Sequence, residues 1–146
     1  MTLRNTLDTS GRLSTAFTKW VLATLLWAGI IAWLSLIPSP PQIPDLLGWD
    51  KLQHAGAYGL LSLLIAQTLH TFPHLQPEKV WWRAALAALC FGSLMEILQL
   101  VMQVGRTAEW WDLAADALGV SICCVLFRQV ALVKSRRHRP MEKTHG

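Results

Sequence analysis

The chain has 146 residues, of which 53% are hydrophobic and only 15% are charged, and its mean hydropathy is +0.35. Soluble domains carry charge on about a quarter of their residues, so this composition argues against a soluble globular domain. The net charge of +4 does not indicate a nucleic-acid-binding protein. The basic residues gather at the two ends of the chain, beside apolar segments, as they do in membrane proteins.

Four long apolar segments predict four transmembrane helices, over residues 20–37, 51–68, 82–104 and 111–132. The first has 18 residues and no charge, which gives roughly 27 Å of helix against a hydrocarbon thickness of ~30 Å. Prolines at 38, 40, 41 and 44 end it, because proline cannot continue a helix. A cleaved signal peptide is the alternative, but a long polar segment precedes the apolar run and no A-x-A site follows it.

The distribution of basic residues predicts the orientation. Eleven of the thirteen lysines and arginines lie in the N-terminal segment, the second loop and the C-terminal tail, whereas Lys51 and Arg106 stand alone in the first and third loops. Because cytoplasmic segments are enriched in Lys and Arg, both termini are predicted to be cytoplasmic. The sequence thus predicts an all-α integral membrane bundle of four transmembrane helices in the bacterial inner membrane. Residues 20–132 form the membrane domain, residues 1–19 a cytoplasmic N-terminal segment and residues 133–146 a basic tail.

Small residues recur every fourth position in the last two predicted spans. Such stripes let helix backbones approach closely within a bilayer, so they predict a compact bundle. The stripes are Ala84, Ala88 and Gly92 in the third span, and Ala115, Gly119 and Cys123 in the fourth.

Polar residues also fall inside the predicted spans, where a charged side chain costs several kcal/mol. Spacings of three and four residues put the members of each group on one helix face. By the predicted topology all three groups lie in the outer half of the bundle, which predicts one outward-facing polar pocket. The residues are Asp50, Lys51, His54 and Tyr58 in the second span, Glu96, Gln99 and Gln103 in the third, and Asp112 and Asp116 in the fourth.

Several of these residues also have structural interpretations. Asp50 is a candidate N-cap of the second helix, and Asp112 is a first-turn acid that the helix dipole would favour. Glu96 and Arg106 could form a structural ion pair, and Gln99 could hydrogen-bond a neighbouring helix. For Glu96 the structural interpretation is weaker, because a buried carboxylate needs a specific partner or a proton.

The functional interpretation treats the polar groups as one site. His54 is suited to general-base chemistry near neutral pH, and arginine binds phosphate with two parallel hydrogen bonds. Asp50, Asp112 and Asp116 are candidate ligands for a divalent cation, although the sequence requires no cofactor. The catalytic candidates are His54, Glu96 and Asp112, and the candidates for binding a substrate are Lys51, Tyr58, Gln99 and Arg106. Whether the protein is an enzyme stays open, because common soluble catalytic motifs are absent.

At these residues the sequence resembles the VanZ-like family of small membrane proteins. Asp50-Lys51-Leu52-Gln53-His54, followed by Tyr58, is similar to that family's D-K-x-x-H-x-x-x-Y signature at the start of a helix. The later similarities are Glu96 and Gln99, which match its E-x-x-Q, and then Arg106, Asp112 and Gly119. Asp116 departs from the pattern, because the family commonly has asparagine there. The resemblance runs from about the first span to Gly119.

The resemblance implies a multi-pass membrane protein from a family named for an accessory role in resistance to glycopeptide (teicoplanin-type) antibiotics. We therefore expect the pocket to bind or act on an envelope lipid or a lipid-linked anion, with no nucleic-acid partner. The first alternative is a non-enzymatic structural or partner-binding protein, with a second copy or another membrane protein as its partner. A small transporter is a weaker alternative, since four helices leave little room for a pathway.

Overall fold

The computed structural model describes residues 3–37, 49–102 and 110–137, with side chains over 15–37, 50–76, 79–102 and 110–129. These residues form four α-helices in chain order. They are α1 (Leu3–Leu36), α2 (Trp49–His70), α3 (Pro77–Met102) and α4 (Trp110–Arg137). The prediction of an all-α chain with four helices is confirmed for this part of the molecule.

Each helix contains one of the four predicted spans, apart from positions 37, 103 and 104, but two helices are longer than the apolar segments. α1 begins at Leu3 rather than near residue 20, and α4 continues to Arg137, beyond the predicted end at 132. Hydropathy locates the part of a helix that suits lipid, whereas a helix can continue into water on either side of it.

Three of the helices are long and apolar enough to cross a membrane: Thr15–Leu36 in α1, Lys79–Met102 in α3 and Trp110–Gln129 in α4. Their mean hydropathies are 1.6, 1.9 and 1.5. α2 is not among them, and its first two turns contain the polar residues Asp50, Lys51 and His54. The length and composition of the other three helices indicate a membrane protein.

The outer surface of the bundle is strongly apolar. Large side chains on three helices are more than half exposed, including Leu26 at 68%, Leu100 at 67% and Leu118 at 60%. Soluble monomers rarely expose apolar patches of this extent, whereas lipid tails solvate such side chains without cost. The surface therefore supports the same conclusion as the helix lengths.

α2 is the central helix, because it packs against α1, α3 and α4. Its pairing with α4 is the most extensive in the bundle. Gly119 of α4 lies directly on the backbone of α2, so that a Cβ built on it would stand 2.0 Å from the carbonyl oxygen of Ala55. Gly59 of α2 in turn faces the Sγ of Cys123. The predicted packing role of the small residues in α4 is confirmed.

The stripe on α3 is buried as well, since Ala84 and Ala88 are fully inaccessible. The position of α2 explains its polarity. A helix enclosed by three neighbours presents less of its surface to lipid, so polar side chains on its buried faces meet protein groups instead. The same burial makes them good candidates for a functional site.

Candidate functional site

The site is centred on His54, which lies in the second turn of α2 and points toward α4. Its Nδ1 is 3.1 Å from Oδ1 of Asp116, within hydrogen-bond distance. Its Nε2 is 3.9 Å from Oδ2 of Asp112. The spacing of four residues places both aspartates on one face of α4, and they therefore contact opposite edges of the imidazole ring.

Asp50 joins this group from the helix that carries His54. One carboxylate oxygen of Asp50, one ring nitrogen of His54 and one carboxylate oxygen of Asp112 all lie within 4.8 Å of one another. Asp50 is half-buried at the start of α2, whereas Asp112 is buried. The three side chains thus form a partly accessible set of metal-binding atoms.

Asp116 lies deeper than the others and is fully buried. Its Oδ2 lies against α3, where Gly92 provides the space for it. A Cβ at Gly92 would stand 2.7 Å from that oxygen and 3.1 Å from Cε1 of Tyr58. Among the described residues, Oδ2 of Asp116 has no hydrogen-bond partner. The carboxylate is therefore held by one hydrogen bond to His54 and by close packing.

Tyr58 continues the polar face of α2 one turn below His54. Its side chain is buried, and its ring lies nearly parallel to the imidazole, with 6.1 Å between the ring centroids. Glu96 of α3 is half-buried and follows Gly92 by one turn, on the same helix face.

A cleft of about 110 Å³ opens beside the site, between α1 and α2. Asp50, Gln53 and His54 line it on the α2 side, and α1 contributes Ile31, Leu34 and Ser35. The site is consequently reached through a cleft with a polar wall on α2 and a mainly apolar wall on α1.

The structure brings together five of the residues that the sequence singled out: Asp50, His54, Tyr58, Asp112 and Asp116. Gln99 is buried but hydrogen-bonds α1, since its Nε2 donates to the carbonyl oxygen of Ser35 at 2.9 Å. Lys51 is half-buried beside Asp50 at the start of α2. Arg106 and Gln103 lie outside the described residues.

Sequence reasoning missed the contribution of α1 and the role of Gly92. Ser35, Ile31 and Leu34 lie in an apolar span, where nothing in the pattern marks them as neighbours of a site. Gly92 was recognised as a packing residue, but its contact with Asp116 depends on the rotation of two helices about their axes. Helical spacing alone does not determine such rotations.

The described part of the site is rich in acid. Three carboxyl groups, those of Asp50, Asp112 and Asp116, gather around one histidine, His54. Such an arrangement attracts cations, and it also provides groups that can accept or donate protons. An anion could enter only where a positive charge offsets the carboxylates.

Comparison with models of protein families, with curated proteins and with solved structures gives no match. The resemblance to the VanZ-like family therefore depends on the motif residues alone, and the functional argument depends on the geometry of the site.

Proposed function

We propose that the chain is a VanZ-like protein of the bacterial inner membrane, with four membrane-spanning helices and cytoplasmic termini. We further propose that the pocket around His54 binds or acts on the head group of an envelope lipid or a lipid-linked anion. The observation that carries the proposal is the polar cluster between α2 and α4, which opens onto a cleft with one apolar wall. A lipid head group and the first atoms of its acyl chains need these two environments side by side.

The proposed topology places the start of α2 and the start of α4 on the outer side of the membrane. Two arguments support α2 as a fourth span. Its 22 residues give roughly 33 Å of helix, enough to cross a bilayer, and its three helical neighbours shield its polar side chains from lipid. Both termini then lie on the side where eleven basic residues accumulate.

Reporter fusions test this topology. A reporter joined after Thr71 and another joined at the C-terminus should both report a cytoplasmic location, since both follow an even number of spans. A periplasmic location at either position would contradict the four-span topology.

The size of the cleft limits what it can hold. A volume of about 110 Å³ corresponds to roughly four water molecules, so it fits a phosphate-sized head group rather than a whole lipid. The acyl chains would lie along the exposed side chain of Leu34, among the surrounding lipids. Lys51 and Arg106 are the basic residues available to the anion.

The direct test is lipid analysis of the full chain extracted from the membrane in polymer-bounded nanodiscs. We expect one anionic lipid class to be enriched over the bulk membrane, and we expect His54→Ala to abolish that enrichment. His74→Ala is the matched control, because His74 is exposed in the segment between α2 and α3. Lipid profiles identical to the bulk membrane, or equal enrichment in all three proteins, would contradict the proposal.

A second candidate function is purely structural, and two contacts favour it. His54 with Asp116 joins α2 to α4, and Gln99 with Ser35 joins α3 to α1. If these groups only hold the bundle together, His54→Ala should reduce membrane abundance and function in parallel, because it removes the contact with Asp116. A pocket that binds lipid predicts a different result, namely that this variant is abundant but does not alter teicoplanin susceptibility as the unmodified protein does.

A further inference from the structure

We infer that the pocket is a binding site for a divalent transition-metal ion of the zinc or manganese class. The ligands are Asp50, Nε2 of His54 and Asp112, and Asp116 is a positioning residue on the other ring nitrogen. The inference deepens the proposed function: the metal site stands on its own geometry, and the claim that the ion receives a lipid phosphate rests on the proposed function.

The donor atoms already lie close to metal-binding geometry. Ligands about 2.1 Å from a tetrahedral ion are roughly 3.4 Å from one another. Nε2 of His54 and Oδ2 of Asp112 are 3.9 Å apart, and one ligand atom from each of Asp50, His54 and Asp112 lies within 4.8 Å of the other two. Small side-chain rotations therefore suffice to bring them onto one ion.

The chemistry of the donors selects the class of metal. Calcium and magnesium prefer sites made of oxygen atoms, whereas imidazole suits zinc and other transition metals, and carboxylates suit manganese. One imidazole with two carboxylates is a mixed nitrogen and oxygen set. Three protein ligands also leave an open coordination position, and the cleft beside Asp50 and His54 gives a phosphate oxygen access to it.

Asp116 supplies the second observation. Histidines that bind metals almost always donate their other ring N–H to a carboxylate or carbonyl, which fixes the tautomer and the direction of the free nitrogen. The 3.1 Å contact between Nδ1 of His54 and Asp116 is of this kind. Asp116 is also fully buried, and its Oδ2 lacks a hydrogen-bond partner within the described chain. A buried carboxylate in that position calls for positive charge nearby.

A hydrogen bond that joins α2 to α4 requires only one of the carboxylates around His54. One His–Asp pair is enough to join two helices, and His54 with Asp116 already provides it. Bringing Asp112 and Asp50 to the other edge of the same ring adds repulsion between carboxylates and the cost of their desolvation. A divalent ion between them reverses both effects, and it makes the acidic pocket attractive to a phosphate.

The test uses the untagged full chain in detergent, freed of metal with a chelator and titrated with Co²⁺. Co²⁺ is the optical substitute for Zn²⁺. We expect visible d–d absorption bands that saturate at one Co²⁺ per chain, and we expect Zn²⁺ but not Mg²⁺ to displace it. A folded protein that shows no such bands, or that binds Mg²⁺ equally well, would overturn the inference.

Variants then assign the ligands. Asp50→Asn should weaken Co²⁺ binding about 100-fold or more. Asp50 is half-buried at the start of α2, so this variant can still test the ligand assignment if His54→Ala does not fold. Asp116→Asn should keep one site per chain but weaken it about 10–100-fold and shift its absorption bands, at an unchanged thermal midpoint. His70→Ala is the matched control and should bind like the unmodified chain, because His70 is the last residue of α2, far from the site. Equal binding by Asp50→Asn and the control would refute the assignment.

The metal site and the proposed lipid function can fail separately. Lipid enrichment that persists in the presence of chelator would refute the claim that the ion receives the lipid phosphate and would leave the lipid pocket intact. Stoichiometric Co²⁺ binding with an unselective lipid profile would support the metal site and refute the lipid function. Loss of lipid enrichment on chelation, restored by Zn²⁺ or Mn²⁺ but not by Mg²⁺, is the result expected if both hold.

Discussion

Replacing Gly119 by alanine should separate α2 from α4 and destabilise the bundle. The added Cβ would lie 2.0 Å from the carbonyl oxygen of Ala55 and 2.6 Å from its Cα, and side-chain Cβ atoms are essentially never found within 3.0 Å of another atom. Because the obstructing atoms belong to the backbone, the helices must move apart by at least about 1 Å. Such overpacking of a tight interface costs about 1–3 kcal/mol.

The same displacement should break the contact between His54 and Asp116. At 3.1 Å, this contact would lengthen beyond hydrogen-bond distance if α4 moved by that amount. Hydrogen bonds between membrane helices contribute about 0.6 kcal/mol on average, so most of the loss comes from the steric clash. At roughly 3 °C per kcal/mol for a chain of this size, the thermal midpoint should fall by about 3–9 °C.

Circular dichroism of the purified protein in detergent measures the thermal midpoint. Gly56→Ala is the matched control, because Gly56 lies on α2 and nothing stands within 4 Å of its added Cβ. This control should be as stable as the unmodified protein or slightly more so, since alanine favours a helix over glycine by about 1 kcal/mol. Equal midpoints for Gly119→Ala and Gly56→Ala would refute the close contact of α2 with α4.

Two further substitutions separate the site from the scaffold. Gly92→Ala places a methyl group against the carboxylate of Asp116 rather than against backbone, so we expect a smaller loss of stability than for Gly119→Ala. We also expect about tenfold weaker Co²⁺ binding. Unchanged Co²⁺ binding would contradict the role of Gly92 in positioning Asp116. Gln99→Leu removes the hydrogen bond to Ser35 and should lower the free energy of unfolding by about 1 kcal/mol. The control is Leu100→Ile, at an exposed position of the same helix. Equal stability of the two variants would show that the hydrogen bond contributes nothing.

The helices were predictable from the sequence because their cause is local. Long apolar runs, the first of them ended by prolines, predict spans, and each described helix contains one of them apart from a few terminal positions. The ends of the helices were less predictable. α1 begins at Leu3, in a polar segment where hydropathy carries no signal, and helix formation there depends on local propensity instead. α2 is not among the helices that are apolar enough to cross a membrane, and it packs against the other three helices, which its own hydropathy does not predict.

The members of the site were predictable in part, and the reason lies in helical geometry. Spacing by four residues puts Asp50 with His54, and Asp112 with Asp116, on single helix faces. It does not say which faces meet. That pairing is determined where Gly119 fits against Ala55, since a close backbone contact fixes both the distance and the rotation of two helices.

The position of Asp116 connects the packing of α2 and α4 with the candidate site. It lies one turn before Gly119 on α4, so the contact that brings the helices together also presses its carboxylate against His54 at 3.1 Å. Gly119 allows the two helices to approach closely, and this approach brings Asp116 within hydrogen-bond distance of His54. An asparagine at this position could also hydrogen-bond His54 and join the two helices. The charge of an aspartate does more, because it makes Nε2 of His54 a stronger metal ligand. The aspartate at position 116, buried against His54, is therefore the feature of this chain that most favours a bound cation.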